Sequence, residues 1–360
     1  MGILDTIITT KQNETIQQMR PVDIVKEILQ NLKERDRQIL AHRYGLEGRG
    51  VKTLAAIGQE QNLTRERVRQ IEKDLMKHLK KTSSKYSSFN ATKEFILNII
   101  SEHGRIIAEE NLLLNLNIKD EQEKNAVIFL LNLIEELDNF IHDNYKKNWV
   151  MVLFKEDLLH GFVDQGKKII ADKQKPLQAE EFLQHFKQTQ FYQDNQVELN
   201  DKTIINFLEL AVEIEKNVFG EFGLSHWKEI VPKDVGDKAY LVMKYHKKPE
   251  HYSAITEMIN KAKFDSKTAY KETVHNELIK DQRFVLIGRG IYALAEWGFK
   301  PGVVSDVISE ILKKHGQPMP KEKIIEEVMK VRQVKKNTIL VSLSNKKLFK
   351  KVGKNLYALA

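Results

Sequence analysis

The sequence predicts a mainly α-helical protein carrying small β-hairpin wings and assembled from about five small modules. Three observations predict it. Over residues 21–82 apolar residues recur at helical spacing behind capping residues, a frame of about 65 residues repeats along the remainder, and each repeat closes on two short β-type runs joined by a polar turn. Hydrophobic residues make up 41% of the 360 and charged residues 30%, enough apolar material for packed cores and too much for a disordered tail. Length alone, at roughly 100 to 200 residues per domain, suggests two or three domains; the repeat divides the chain more finely.

Residues 1–20 read as an N-terminal arm, and its Met1-Gly2-Ile3-Leu4-Asp5-Thr6 start matches the loose N-myristoylation pattern. Pro21 then opens a helix at its first position, where the fixed φ and missing N–H cost nothing, followed by Ile24, Val25, Ile28, Leu29 and Leu32 at helical spacing. A second helix spans about Arg35 to Tyr44 and stops at Gly45, before a glycine-punctuated loop. Thr53 caps a short helix carrying Leu54, Ala55 and Ile57. After Asn62-Leu63, Thr64 caps a longer helix whose Val68, Ile71, Leu75 and Leu79 form one stripe, which leaves Arg65, Glu66, Arg69, Gln70 and Lys73 on the solvent side. Two such helices joined by a tight turn make a helix-turn-helix, here a domain over 21–82. The exposed face of its second helix reads two ways. Arginines bridge guanine acceptors and glutamate accepts from cytosine, but the same residues also suit a solvated face laced with i, i+4 pairs.

Residues 83–92 are Ser-rich and read as a linker. Beyond it, Phe284, Gly288, Tyr292 and Ala293-Leu294-Ala295 coincide with Phe349, Gly353, Tyr357 and Ala358-Leu359-Ala360 at an offset of 65, and fainter echoes lie at Phe219 to Trp227 and Phe140 to Trp149. Helices followed by a hairpin suggest winged-helix units at 93–153, 158–232, 237–297 and 301–360. Gly288-Arg289-Gly290 sits between strand-like runs with no helix after it, so it reads as a hairpin turn and not as a nucleotide loop. Arg289 and Lys354 at the two wing tips are candidate phosphate contacts. Trp149, Trp227, Tyr292 and Tyr357 recur at one position of the frame, which favours packed core aromatics over a stacking platform for bases.

The formal charge of +8 is the residue of a cancellation. Residues 33–81 carry 13 basic and 7 acidic side chains and residues 300–360 carry 14 and 5, whereas 101–145 carries 3 and 10. Phosphate contact is therefore expected at the two ends and not in the middle. The absence of cysteine excludes disulfides, thiolate nucleophiles and cysteine-ligated zinc, and fits a reducing compartment. No run of about 18 apolar residues and no signal sequence is present, so a cytoplasmic protein with no membrane contact is expected. Histidines at metal-ligand spacing, a phosphate-binding Gly-x-x-x-x-Gly-Lys, a Gly-x-Ser-x-Gly elbow and a credible carboxylate pair are all missing, so no cofactor, metal, small-molecule substrate or enzymatic activity is expected.

Leu32 to Leu46, Thr53 to Gly58 and above all Leu63-Thr64-Arg65-Glu66-Arg67-Val68-Arg69-Gln70-Ile71-Glu72 closely resemble region 4 of primary bacterial sigma factors. The resemblance covers about 50 residues and implies a helix-turn-helix that reads the −35 promoter element of duplex DNA and docks on the flap of the RNA polymerase β subunit. Carried over by position, Arg65, Glu66, Arg69 and Gln70 meet base edges; Arg35, Arg43, Thr53 and Leu54 contact the phosphate backbone, with Arg67 and Lys73 adding flanking charge. Nothing here resembles the sigma module that melts promoters, so opening DNA alone is not expected. The repeat ends, Arg283 to Trp297 and Leu348 to Ala360, look like the HARE-HTH winged helix of the bacterial RNA polymerase delta subunit, a binding module. Together these resemblances imply a nucleoid-associated accessory transcription factor that reads promoter-type DNA and holds RNA polymerase or partners. The alternative is an adaptor that docks on polymerase without reading sequence.

Overall fold

The computed structural model describes residues 20–48, 50–299, 302–332 and 334–360. The arm expected over 1–20, with its myristoylation-like start, lies outside the described residues except for Arg20. The chain forms two compact units, Met1–Glu215 and Lys216–Ala360. Their boundary falls inside the stretch 158–232 expected as one winged-helix unit.

In the first unit, α1 (Pro21–Leu29) starts on its proline and buries Ile24, Val25, Ile28 and Leu29. The next helix, α2 (Glu34–Tyr44), ends where Gly45 takes the left-handed conformation (φ 66°) and returns its N–H to the Ala41 carbonyl, a conformation that glycine adopts without strain. The Thr53 hydroxyl accepts from the Ala56 N–H to start α3 (Leu54–Gln61), and that of Thr64 accepts from the Arg67 N–H to start α4 (Arg65–Ser83).

The expected linker over 83–92 is not one. From Ser87 the chain is helical, α5 (Ser87–Glu102), and Phe89, Thr92, Ile96, Ile99 and Ile100 are buried along it. Serine disfavours helix interiors only weakly, and the burial of Phe89 at one helical turn from Thr92 and two from Ile96 outweighs it. After α5 come β1 (Ile106–Ala108), α6 (Glu109–Asn115), α7 (Glu121–Leu133), β2 (Leu137–Asp138) and β3 (Asn148–Met151). The three strands form an antiparallel sheet in the order β1-β3-β2, with Ile107 opposite Trp149. Trp149 is 2% exposed and donates its indole N–H to Glu109 at 3.1 Å, which makes it a core aromatic.

The larger part of the helix-turn-helix domain's core is shared with later elements. Ile24, Ile28, Leu29, Leu40 and Leu46 lie in one apolar cluster with Leu79 and with Phe89, Val127, Phe129 and Leu130 of α5 and α7. Tyr44 meets Phe129 edge-on, 5.1 Å between ring centroids, and Asn125 donates to the Gly45 carbonyl at 3.2 Å. The module is thus finished by residues well beyond its sequence frame.

Further along the first unit, α8 (Glu156–Lys173), α9 (Ala179–Phe186), α10 (Gln190–Asn195) and α11 (Asp201–Leu210) precede β4 (Ile214–Lys216). Phe162, Phe182, Phe186 and Phe207, all fully buried, stack and cross at 4.8 to 6.4 Å. Backbone bonds from Lys146 to Leu210 and from Val212 to Asn144 tie the β2–β3 loop to the end of α11. Asn206 donates to the carbonyls of His103 and Ile106, so this stretch and the preceding sheet make one body.

The second unit holds β5 (Phe222–Leu224) and then one element order twice. First come α12 (Val235–His246), β6 (Glu250–His251), α13 (Tyr252–Ala262), α14 (Lys271–Lys280), β7 (Phe284–Gly288) and β8 (Ile291–Leu294), with strands ordered β6-β8-β7. Then come α15 (Val304–His315), β9 (Met319–Pro320), α16 (Lys321–Val331), α17 (Lys336–Leu343), β10 (Phe349–Gly353) and β11 (Leu356–Leu359), ordered β10-β11-β9. The two hairpins share one register: Phe284 faces Leu294 and Gly288 faces Ile291, as Phe349 faces Leu359 and Gly353 faces Leu356. Each also slips by one residue just before its glycine, so the offset of 65 in sequence is an offset of 65 in pairing. Tyr292 is 1% exposed, a core position, while Trp227 and Tyr357 are half-buried. Arg332, 5% exposed, donates to the carbonyls of Leu286 and Gly302 and links the two repeats.

Candidate nucleic-acid interface

A short turn, Asn62 to Thr64, sets α3 against α4. Asn62 takes φ 55° and returns its N–H to Gly58, and Leu63 donates to the same Gly58 carbonyl at 2.8 Å. A Cβ on Gly58 would stand 2.6 Å from the Leu63 carbonyl oxygen, so only glycine lets the helix pass this close to the turn. Beneath it Ile39, Ile57 and Val68, each 0% exposed, pack with Leu54, Leu63 and Ile71. Because Val68 is locked inward, Arg65, Glu66, Arg67, Arg69, Gln70 and Lys73 all project into solvent along the first turns of α4. The sequence-based stripe is therefore two-tiered: Val68 and Leu79 are buried, while Ile71 and Leu75 are half-buried.

The exposed face is internally paired. Arg69 clasps Glu66 with two bonds, 2.9 Å from Nε and 2.6 Å from Nη2, and Arg67 donates to the Gln70 side-chain oxygen at 3.3 Å. The bond from Arg69 draws the Glu66 carboxyl below its ordinary range, and the same contact raises the guanidinium. Such exposed pairs are screened by solvent and worth little, so they orient the side chains without committing them. Arg65 and Lys73 stand exposed on either side.

The residues expected at the phosphate backbone divide into two groups. Arg35 is exposed and donates to the Gln61 carbonyl at 3.3 Å, beside the carboxyl end of α3. The Arg43 guanidinium instead reaches Glu72 at 3.2 Å and braces α2 against α4, and the Leu54 side chain belongs to the small core. Thr53 spends its hydroxyl on the cap, which leaves backbone N–H groups at the start of α3 as the donors there. Three further residues were not singled out by sequence: Lys52 pairs with Glu60 at 2.5 Å, and His42 lies 3.4 Å from the same carboxylate. Nothing in local spacing marks His42 and Glu60 as neighbours, since they belong to different helices.

Arg289 and Lys354 occupy the turns of their hairpins in the second unit, both exposed. Among the described residues no group of three or more His, Asp or Glu is placed to hold a metal ion, and no helix is long and apolar enough to cross a membrane.

The family model described as Sigma-70, region 4 matches residues 28–81 of this chain. The match takes in α2, α3 and α4 together with the turn built on Gly58. Among curated proteins this chain is similar to the RNA polymerase sigma factor SigA of Nostoc, 45% identical over 56 residues, 16% of this chain and 14% of that protein. It is likewise similar to the SigA of Microcystis aeruginosa, 39% identical over 71 residues, 20% of this chain and 17% of that one. The chain spans about a sixth or less of the length of these relatives.

Proposed function

We propose that this chain is a sigma-factor-like accessory transcription factor without enzymatic activity, which reads promoter-type duplex DNA through its helix-turn-helix. The observation that carries the reading is the presentation of Arg65, Glu66, Arg69 and Gln70 on the first turns of a helix anchored by the fully buried Val68, within the stretch similar to sigma region 4. With α4 in the major groove, Arg65 and Arg69 suit guanine O6 and N7, Gln70 suits adenine, and Glu66 accepts from cytosine N4. Docking exchanges the Glu66–Arg69 pair for base contacts at small cost. Arg35, Arg67, Lys73 and the backbone at Thr53 and Leu54 hold phosphates, and Arg43 holds the brace to Glu72 from which it adds charge. A −35-like element is the expected target.

The remaining modules are read as winged helices. Their support is one order, helix, strand, two helices, two strands, seen in residues 87–151, 235–294 and 304–359. They are proposed to bind RNA polymerase or partners, the β flap being the site implied for the helix-turn-helix, in the bacterial cytoplasm at the nucleoid.

The test uses the whole chain, because α1 and α2 share their core with α7. Anisotropy of labelled duplexes should show preference for a −35-like sequence over its scrambled form. Arg65→Ala or Gln70→Ala should remove about 1 to 3 kcal/mol of that preference. Equal affinity for both duplexes would end the reading. The ten acidic side chains in 101–145 favour a second one, an adaptor that docks on polymerase without reading DNA. Co-purification with polymerase and an unchanged effect on transcription in Arg65→Ala/Arg69→Ala would then be found.

A further inference from the structure

The two closing repeats are alike in backbone and unlike in charge. Residues 328–360 contain nine basic side chains and no acidic one; the matching stretch 263–295 contains six basic and four acidic. In the earlier repeat acidic side chains stand at the base of the hairpin, and the guanidinium there is paired. Arg283 is held by Asp281 at 2.6 Å and by the buried Asp237 at 2.9 Å. At the positions where that repeat has Asp281, Gln282, Val285 and Leu286, the last one has Lys346, Lys347, Lys350 and Lys351. All four are exposed, as are Lys354 at the turn and Lys335 and Lys336 at the start of α17. Among the described residues none of these seven lysines forms an ion pair.

The lysines stand on a fixed scaffold. Phe349, 2% exposed, anchors β10 in the core, and Lys350 and Lys351 are in register with Ala358 and Tyr357. Leu348 and Phe349 donate to the Asn345 carbonyl, and Lys347 donates its N–H to the Asn345 side chain, which orders the entry to the hairpin. The hairpin turn is tied down as well, Lys321 donating to the Asn355 carbonyl at 2.8 Å. A group of like charges on a rigid hairpin, none of them ion-paired among the described residues, is repulsive in the free protein and is relieved by a polyanion. The exposed neighbours Asn337 and Thr338 add neutral donors of the kind that bond phosphate oxygens.

We propose that residues 301–360 form a second DNA contact, a sequence-independent phosphate clamp in which Lys346, Lys347, Lys350, Lys351 and Lys354 straddle the backbone of a duplex. The repeat before it, with Arg283 paired and acidic or uncharged residues where the last repeat has four lysines, takes no such part. The choice of duplex DNA among polyanions rests on the reading of residues 65–70; the clamp itself rests on the charge pattern.

The experiment measures binding of the full chain to a random-sequence duplex as a function of salt, comparing wild type with Lys346→Gln/Lys347→Gln/Lys350→Gln/Lys351→Gln. Losing four phosphate contacts, each worth about 0.9 in the slope of log affinity against log salt, flattens that slope by about 3.6. Wild-type affinity should therefore fall about 150-fold more than that of the variant between about 50 and 200 mM salt. The four Lys→Arg exchanges keep the charge and should keep the wild-type slope, which separates the clamp from mere loss of fold. In an Arg65→Ala/Arg69→Ala background the same flattening should persist while sequence preference is gone, so failure of the helix reading and failure of the clamp are distinct results. An unchanged slope in the glutamine variant overturns the clamp. Loss of binding only to phosphatidylglycerol vesicles, with the duplex slope intact, overturns it in favour of a membrane.

Discussion

Replacing Phe129 by alanine probes the finding that the helix-turn-helix is completed from outside its own sequence. Phe129 is fully buried in α7, 48 residues past the end of the stretch similar to sigma region 4, and its ring meets Tyr44 of α2 at 5.1 Å and 74°. Truncating a buried phenylalanine costs about 3 to 5 kcal/mol, and the ring pair with Tyr44 contributes about 0.5 to 1.5 of that. The cavity opens in the cluster that also holds Leu40, Ala41 and Leu46. Amide hydrogen exchange is the direct assay. At tenfold per 1.4 kcal/mol, amides of residues 24–29 and 39–46 should lose protection by roughly a hundredfold or more in the full chain. The core around Ile308, built from other residues, serves as internal control. Unaltered protection over 24–46 would mean that the helix-turn-helix stands on its own small core, and the account of a shared core would be wrong.

Two further outcomes follow from the same geometry. Gly58→Ala places a methyl 2.6 Å from the Leu63 carbonyl, and the overpacking, about 1 to 3 kcal/mol, exceeds the gain in helix propensity of about 1 kcal/mol; affinity for the preferred duplex should drop several-fold, and an alanine variant that binds as tightly as wild type would refute the close approach. Burial, with Glu72 beside it, pushes the Tyr44 hydroxyl up to about 12, so its neutral form stabilises the fold at pH below about 10 and that stability is lost as pH rises towards 12; chemical denaturation should show the first unit weakening across that window less in Tyr44→Phe than in wild type.

Much of the helix-turn-helix was legible because its signals are local. Caps at Thr53 and Thr64, a left-handed glycine at 45 and a four-residue stripe ending at Leu79 all act within a few residues of where they are read. The paired hairpins at 284–294 and 349–359 were legible for another reason, since the chain carries two copies of one solution and they can be compared. What was not legible depends on partners distant in sequence. The Ser-rich stretch from residue 83 looks like a linker until Phe89 is buried among α1, α5 and α7. Arg43 and Leu54 look free to meet phosphates until Glu72 and the Ile39–Val68 cluster claim them. The boundary at 215/216, inside an expected module, likewise has no compositional mark.

Sequence reading by residues 65–70 is tested most directly by selection from a pool of randomised duplexes with the full-length chain. The predicted result is enrichment of a short −35-like motif, with individual positions relaxing to any base when Arg65, Glu66, Arg69 or Gln70 is exchanged for alanine. A selected pool indistinguishable from the starting one, or a motif untouched by all four exchanges, would contradict it.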